Sequence, residues 1–167
     1  MRTRQEIERL IDRVGYNFGQ FTIASFIDCL SQTMGRKIFA ISCPMPENTF
    51  GAWLTDSELP LEYLIVDSGI AGQHAVHVQL HELGHMVLNH RTASVTPQLL
   101  QKVLNGKNYS ALKHALHRRA SRTDDEQEAE LFAVIVQERL IAAARNSYLE
   151  TSSSSDMFQQ YFADLGV

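Results

Sequence analysis

The residues best suited to chemistry lie in one short segment, His81-Glu82-Leu83-Gly84-His85. It is an HExxH motif, and apolar residues recur around it at three- and four-residue steps, which predicts a helix over about 73–89. Because side chains four residues apart lie one above the other on a helix, both imidazoles can reach a single ion. Zinc accepts imidazole nitrogen, and a catalytic zinc site keeps one position open for water. The spacing therefore predicts a metal site with His81 and His85 as ligands.

Glu82 is suited to a different task from the histidines of the motif. It lies about 100° round the helix from His81, close enough to contact a water on the ion without binding the ion itself. A bound divalent ion makes such a water acidic near neutral pH, and a neighbouring carboxylate can take its proton during attack on a carbonyl. Glu82 is therefore the predicted general base. The alternative is that the motif occurs by chance on a solvated helix face.

A hydrolytic zinc site needs a third protein ligand, and His90 is the nearest candidate. The longer metzincin pattern, HExxHxxGxxH, requires glycine and histidine at the positions of Leu88 and Arg91, so this chain does not follow it. His90 is five residues from His85, which turns it away from the ligand face. We expect a helix-end histidine that faces the C-terminal end of the helix dipole.

The other candidate ligands are glutamates in an acidic segment over 123–133, which opens a predicted helix. Glu126 and Glu130 share a face with small residues, where two helices can approach closely and turn a carboxylate toward the histidines. Glu128 lies on another face with larger apolar residues. Glu126 also stands three residues after Thr123, which is the spacing of a capping box. The residues alone leave the third ligand open between Glu126, Glu128 and Glu130.

The elements that must position these residues follow from periodicity and helix stops. Two N-terminal helices are predicted over 3–14 and 22–34, each followed by a glycine. Three short segments rich in β-formers come next with no helix between them, which indicates an antiparallel meander over 37–42, 50–54 and 63–67. After the motif helix, a linker is expected over 92–97. Further helices are predicted over 98–104, 109–119, 123–145 and 157–163. A serine-rich break at 151–155 precedes the last of them.

Composition and charge narrow the class of protein. The chain has 167 residues, of which 44% are hydrophobic and 20% charged, so it can bury a substantial core. Its 15 basic and 19 acidic residues give a formal charge of −4, which argues against direct nucleic-acid binding. There is no apolar run long enough to cross a bilayer, no secretory signal at the start, and no CxxC pair. We expect a cytoplasmic protein with no membrane partner.

Two motifs in this chain resemble those of the ImmA/IrrE family of zinc metallopeptidases. HELGH follows a predicted strand, and the downstream segment 126–133 reads EQEAELFA, where the family has ExEANxFA. Only the asparagine is replaced, by Glu130. The resemblance is close over the two motifs and loose over about residues 5–145. It implies that this chain, like members of the family, is a zinc metallopeptidase.

The resemblance also implies a role for each site residue. His81, His85 and Glu126 are then the metal ligands of a gluzincin-like site, and Glu82 is the general base. The ion is Zn²⁺, with Mn²⁺ as the alternative. His77 lies one turn before His81, where the family more often has an apolar residue, and we expect a half-buried histidine at the mouth of the site.

The function implied by the resemblance is peptide-bond cleavage. Family members are typically cytoplasmic and often cut helix-turn-helix repressors, so this chain is expected to be a zinc-dependent endopeptidase whose partner is a transcriptional repressor or a similar regulator. A non-catalytic metal-binding regulatory protein and a small-molecule metallohydrolase are the alternatives. The basic segment 102–122 is expected to be a solvated charged face. The residues conceivable as oxyanion-stabilising groups are Tyr109, His114, His117 and Tyr148.

Helices followed by a small sheet and then by more helices make an α+β fold. We predict a single metallopeptidase domain over 1–167, with N-terminal helices over 1–35, a sheet and zincin-like core over 36–145, and a C-terminal helix or tail over 146–167. The sheet is expected to have three strands in an antiparallel or mixed arrangement. In this core the HExxH helix packs against a long C-terminal helix that carries the third ligand.

Overall fold

The computed structural model describes the backbone of residues 1–104 and 123–164, and the side chains of residues 1–102 and 123–149. Within these ranges it has five α-helices and a four-stranded mixed sheet, so the prediction of an α+β fold is confirmed. The helices are α1 (Arg4–Val14), α2 (Ile23–Met34), α3 (Gly72–Val87), α4 (Pro97–Leu104) and α5 (Thr123–Asp164). The strands are β1 (Lys37–Cys43), β2 (Gly51–Asp56), β3 (Leu61–Asp67) and β4 (Ala93–Val95).

The two N-terminal helices begin and end where the sequence predicts, because both ends are capped locally. The Thr3 side chain accepts a hydrogen bond from the backbone N–H of Glu6, whose carboxylate accepts one from Thr3 in return. α2 begins with the same reciprocal arrangement between Thr22 and Ser25. Each helix ends at a glycine in the left-handed conformation, with φ of 69° after α1 and 64° after α2. The buried faces of both helices then pack onto the main core.

The sheet is mixed, which is one of the two arrangements expected, and it is not the antiparallel meander indicated by the three consecutive segments. Its order is β1-β3-β2-β4, in which β3 pairs parallel with β1 and antiparallel with β2, and β2 pairs parallel with β4. The expectation of three strands is wrong, because β4 lies in the segment predicted as a linker over 92–97. A strand of three residues is too short to show an alternating pattern, and alternation does not identify the neighbour with which a strand pairs.

β3 lies inside the sheet and separates two hydrophobic clusters. Its Leu64 and Val66 belong to the larger cluster, which also contains residues from four of the helices. Its Tyr63 and Ile65 belong to the smaller cluster, which includes residues of β4 and α4. Because successive side chains of a strand point to opposite faces, β3 is buried on both sides. The sheet therefore forms a wall, with α3 and α5 packed on the face of the larger cluster.

α3 and α5 pack closely because small residues meet between them. A Cβ added at Gly84 would lie 3.0 Å from the carbonyl oxygen of Ala129 and 3.1 Å from the Cβ of Phe132. Ala129 and Phe132 are both fully buried. The close approach expected for the helix face that carries Glu126 is observed at this contact. It brings the HExxH helix alongside the first turns of α5.

α5 runs without interruption through the predicted break at 151–155, so the expectation of separate helices over 123–145 and 157–163 is wrong. Serine weakens a helix only modestly, and this helix contains no glycine or proline that would stop it. The helix predicted over 109–119 lies outside the described residues, as does the basic segment 102–122 beyond Leu104. Neither α5 nor any other helix among the described residues is long and apolar enough to cross a membrane.

Candidate metal centre

Three of the predicted site residues meet where α3 and the first turn of α5 come together. The Nε2 atom of His81 lies 3.1 Å from Nε2 of His85 and 3.1 Å from Oε2 of Glu126. The other carboxylate oxygen of Glu126 lies 3.4 Å from Nε2 of His85. The ligand atoms all lie within 4.8 Å of one another, and the described residues contain no second cluster of this kind. Two imidazole nitrogens and one carboxylate therefore face a common point.

These separations are close to the distances between neighbouring ligand atoms around a tetrahedral zinc ion. Zinc binds imidazole nitrogen and carboxylate oxygen at about 2.0–2.2 Å, so two ligand atoms of a tetrahedral ion lie about 3.3–3.6 Å apart. The two imidazole nitrogens stand 3.1 Å apart and Oε2 of Glu126 stands 3.1 Å from one of them, so both separations need only small adjustments to reach that range. The 3.4 Å contact of His85 is made by the other carboxylate oxygen. Two histidines and a carboxylate leave one position for water or substrate, as catalytic zinc sites do. The residues present therefore fit a catalytic zinc ion.

His81 has carboxylates on both sides of its ring. Its Nε2 faces Glu126, and its Nδ1 lies 3.3 Å from Oε2 of Glu130, which is also 3.2 Å from Nε2 of the half-buried His77. Burial lowers the pKa of His81, but the hydrogen bond to Glu126 and the charges of Glu82 and Glu126 outweigh it, and the resulting pKa is raised. Without an ion, this histidine therefore binds a proton more tightly than an ordinary one.

His85 contacts another histidine on the side of its ring that faces away from the cluster. Its Nδ1 lies 2.9 Å from Nδ1 of His90, and Nε2 of His90 lies 3.2 Å from Oε2 of Glu128. His85 and His90 are only 1% and 8% exposed. Burial lowers the pKa of His90, although the hydrogen bond to Glu128 opposes this effect. His90 follows the end of α3, as expected, but its ring contacts His85 and Glu128, and the sequence predicts neither contact.

The end of α3 explains how a residue five positions after His85 can reach it. Asn89 adopts the left-handed conformation, with φ of 54°. The backbone N–H of Asn89 donates to the carbonyl of Met86, and that of His90 donates to the carbonyl of His85 at 3.0 Å. This pair of hydrogen bonds is a common helix cap, and it turns the residue after the left-handed one back onto the helix. An asparagine just after the last helical residues is the signal from which sequence reasoning could have found this contact.

Glu128 continues this chain of hydrogen bonds and is itself held by Arg2. The guanidinium Nη1 of Arg2 lies 2.6 Å from Oε2 of Glu128, and the backbone N–H of Arg2 donates to the same carboxylate. Burial raises the pKa of Glu128, but the hydrogen bonds from Arg2 and His90 outweigh burial and lower the pKa to about 2. Glu128 is therefore ionised at neutral pH. It is not part of the ligand cluster, and neither is Glu130.

Glu82 lies beside the cluster, where α3 passes the start of β2. It is 6% exposed, and its charge is close enough to help raise the pKa of His81. A Cβ added at Gly51 would lie 3.1 Å from Cγ of Glu82 and 2.5 Å from Cγ1 of Val78. The absence of a side chain at Gly51 therefore allows the backbone of β2 to reach the predicted general base.

An open groove borders the cluster on the side of α5. It has a volume of about 610 Å³, and its lining includes His81, Glu126, Leu131 and Val134. The side chains of His81 and Glu126 are 21% and 44% exposed, whereas His85 is buried. A molecule that approaches the cluster through this groove therefore meets His81 and Glu126 first.

The residues considered for oxyanion stabilisation are not brought to the cluster within the described part of the chain. Tyr148 lies on α5 about six helical turns after Glu126, which separates the two by about 33 Å along the helix axis. It is 74% exposed. Tyr109, His114 and His117 lie outside the described residues.

Comparison with known proteins does not identify a family for this chain. No model of a known protein family matches it, and no curated protein shows a significant match. The resemblance to the ImmA/IrrE peptidases therefore stays a prediction that rests on the two motifs. A proposal about function has to be built on the geometry of the cluster.

Proposed function

We propose that this protein is a zinc-dependent endopeptidase. The observation that supports the proposal is the cluster of His81, His85 and Glu126 on two packed helices, in which one ligand atom from each residue lies within 4.8 Å of the others and Glu82 lies beside them. These three residues would hold the ion, Zn²⁺ or alternatively Mn²⁺. When bound, the ion supplies a Lewis acid that polarises a peptide carbonyl and makes water acidic near neutral pH.

Glu82 moves the proton in this proposal. Its carboxylate takes a proton from the attacking water and later donates that proton to the departing amine nitrogen of the cleaved peptide bond. Because Glu82 is almost buried, bulk water has little access to the carboxylate, and the proton is retained until the amine leaves.

The edge of β2 supports an extended peptide as the substrate. The N–H of Asp67 donates to the carbonyl of Phe50 at 2.8 Å, so residues 50 and 52 pair with β3, while the peptide groups of Gly51 point to the other side. β4 pairs with β2 only from Leu54 onward. In the described part of the chain, no strand therefore pairs with this side of β2 at Gly51, so this edge of β2 is available to a substrate strand. A substrate segment that adds there brings its backbone next to Glu82.

The shape of the site favours a protein substrate over a small molecule. The groove beside His81 and Glu126 is open to solvent, whereas a small-molecule hydrolase encloses most of its substrate in a pocket. Following the resemblance of the two motifs, we propose as substrate a helix-turn-helix transcriptional repressor or a similar regulator, cut in the cytoplasm. The zincin-like packing of the two ligand helices belongs to the same proposal.

The test is cleavage of candidate repressors by the purified protein. Repressors encoded near its gene are incubated with it in the presence of Zn²⁺ or Mn²⁺, and the fragments are identified by mass spectrometry. We expect a discrete pair of fragments, together with about one zinc ion per chain. Glu82→Gln should abolish cleavage and keep the zinc. The matched control Glu47→Gln, at an exposed glutamate outside the site, should keep both.

Other outcomes separate the alternative functions. If Glu82→Gln leaves partner binding and biological output unchanged, the protein is a non-catalytic metal-binding regulator. If the purified wild-type protein carries no stoichiometric metal, the HExxH match is accidental and the proposal fails.

A further inference from the structure

We propose that His90 and Glu128 are positioning residues for the metal centre, and that they set the tautomer of His85 from the side opposite to the ion. The proposal rests on the metal centre proposed above, but not on the reaction carried out there. Arg2 holds Glu128, Glu128 holds His90, and His90 holds His85, and we call this chain of contacts the relay.

The inner contact of the relay joins two buried ring nitrogens. The Nδ1 atoms of His85 and His90 lie 2.9 Å apart, and both side chains are almost inaccessible to water. One nitrogen must carry a hydrogen and the other a lone pair, because two donors or two acceptors at this distance repel each other. If His85 carries the hydrogen on Nδ1, its Nε2 presents a lone pair to the ion. The opposite tautomer presents an N–H, which cannot bind a metal.

The outer contacts decide which tautomer forms. Glu128 pairs with the guanidinium of Arg2 at 2.6 Å and accepts the backbone N–H of Arg2 as well, so it is a carboxylate that only accepts hydrogen bonds. Nε2 of His90 lies 3.2 Å from this carboxylate and must donate to it. A neutral imidazole that donates from Nε2 accepts at Nδ1, so His85 donates from its own Nδ1 and keeps a lone pair on Nε2. The charge of Arg2 thus sets His85 in its metal-binding form.

The backbone holds the relay in place. The left-handed Asn89 turns His90 back onto α3, where its N–H donates to the carbonyl of His85. Nη2 of Arg2 donates to the carbonyl of Leu88 at 2.9 Å, so the same guanidinium ties the end of α3 to Glu128 on α5. His85 is therefore oriented by groups from both helices that carry the ligands. A ligand histidine fixed in this way binds metal more tightly than a free one.

The experiment compares zinc affinity in His90 variants of the whole protein. His90→Phe keeps a ring of similar size and removes both hydrogen bonds, whereas His90→Gln keeps one acceptor and one donor. The zinc Kd is measured by competition with a chelator, and the free energy of unfolding of the zinc-free protein is measured alongside. We expect His90→Phe to weaken zinc binding by about 10- to 100-fold and His90→Gln to recover most of the loss. The control His74→Phe, at an exposed histidine of α3, should keep the wild-type Kd.

Long-range ¹H–¹⁵N NMR of the zinc-loaded wild-type protein reads the tautomers directly and does not depend on whether a variant folds. We expect the hydrogen of His85 on Nδ1 and that of His90 on Nε2. The proposal is overturned by the opposite assignment, or by variants that lose stability while their zinc Kd stays within about threefold of wild type. A wild-type protein that binds zinc but cleaves no substrate contradicts the proposed function and leaves the relay standing. A wild-type protein that binds no zinc overturns both.

Discussion

The two histidines of the HExxH motif have different surroundings, although they lie four residues apart on one helix. His81 borders the groove, and its partners are the partly exposed carboxylates of Glu126 and Glu130. His85 is buried and contacts the buried His90. At the scale of the residue, the inner histidine is thus held in one orientation by the protein interior, while the outer histidine has neighbours that solvent can reach.

Substitution of two glutamates of α5 tests which of them binds the ion. Glu126→Ala removes a ligand atom, so the protein should lose its stoichiometric zinc. Glu130→Ala removes no proposed ligand atom but takes away the carboxylate that contacts Nδ1 of His81 and Nε2 of His77, so the zinc Kd should rise by about 10-fold. Zinc content after dialysis and competition with a chelator check the two outcomes, with Glu47→Ala as the exposed control. Full zinc content in Glu126→Ala would contradict the ligand assignment.

Gly51 is required where β2 passes Glu82. The Cβ of Gly51→Ala would lie 2.5 Å from Cγ1 of Val78, a separation that real side chains do not adopt. Overpacking of this kind costs about 1–3 kcal/mol, so we expect the free energy of unfolding measured in urea to fall by this amount. The double variant Gly51→Ala/Val78→Ala removes the closer clash and should recover part of the loss. Wild-type stability in Gly51→Ala would rule out the close approach.

At the scale of the element, the centre depends on the distance between α3 and α5. α3 carries His81 and His85, and α5 carries Glu126, so neither helix holds the ligand set alone. The two helices meet at Gly84 and Ala129, where the nearest neighbours of an added Cβ are backbone atoms. The contact between backbones therefore sets how far the carboxylate stands from the imidazoles.

Gly84→Val should separate the two helices. Its Cβ would lie 3.0 Å from the carbonyl oxygen and 3.1 Å from the Cα of Ala129, and backbone atoms cannot rotate away as a side chain can. We expect a loss of about 3 kcal/mol in the free energy of unfolding and a weaker zinc affinity. Urea unfolding and chelator competition measure the two effects, with Ala75→Val on the half-exposed face of α3 as the control. An unchanged zinc Kd would show that the helix distance does not control the centre.

The pair of Tyr63 and Asp56 makes the sheet sensitive to alkaline pH. The O–H of Tyr63 donates to Oδ2 of Asp56 at 2.6 Å, and burial, together with this hydrogen bond, raises the pKa of Tyr63 to about 12. Because the folded pKa lies above the ordinary value of about 10, the pair stabilises the fold below about pH 10, and this stabilisation is lost as the pH rises toward 12. Between those values, the free energy of unfolding in urea should fall more steeply for wild type than for Tyr63→Phe. Parallel profiles would contradict the raised pKa.

At the scale of the whole molecule, the N-terminal region is joined to the helix that carries Glu126. Ile7 and Ile11 of α1 are buried in the same hydrophobic cluster as residues of α5. Ion pairs add to it, although a partly exposed pair contributes only about 0–1 kcal/mol. The pairs are Arg2 with Glu128, Arg4 with Glu138, and Arg139 with Asp12. Since the proposed ligands and the groups that contact them come from distant parts of the chain, we expect metal binding to be coupled to folding.

Zinc should therefore stabilise the whole fold. A ligand that binds only the folded state adds about 2.7 kcal/mol to the free energy of unfolding when its free concentration is 100 times the Kd. We expect the Tm to rise with free zinc, to fall after removal of zinc with a chelator, and to become independent of zinc in Glu126→Ala. Thermal unfolding in zinc buffers measures these shifts. A zinc-dependent Tm that persists in Glu126→Ala would place the ion elsewhere.

The sequence by itself determined what depends on neighbours along the chain. The N-terminal helices were predictable because Thr3 with Glu6, and Gly15 after the last turn, form caps from residues a few positions apart. His81 and His85 were predictable as a pair because helix geometry places positions i and i+4 on one face wherever the helix lies. The α+β order was predictable as well, because the spacing of apolar residues changes along the sequence from helical steps to short β-rich segments and back to helical steps.

Tertiary structure decided what depends on packing between distant segments. The residues alone left the choice open between Glu126, Glu128 and Glu130, and the approach of α3 to α5 brings only Glu126 into the cluster while Glu128 reaches the buried His90. The sequence likewise did not predict the parallel pairing of β1 with β3 or the short strand β4. A local pattern shows which face of an element is apolar, but the partner that covers that face is selected by the packing of the whole chain.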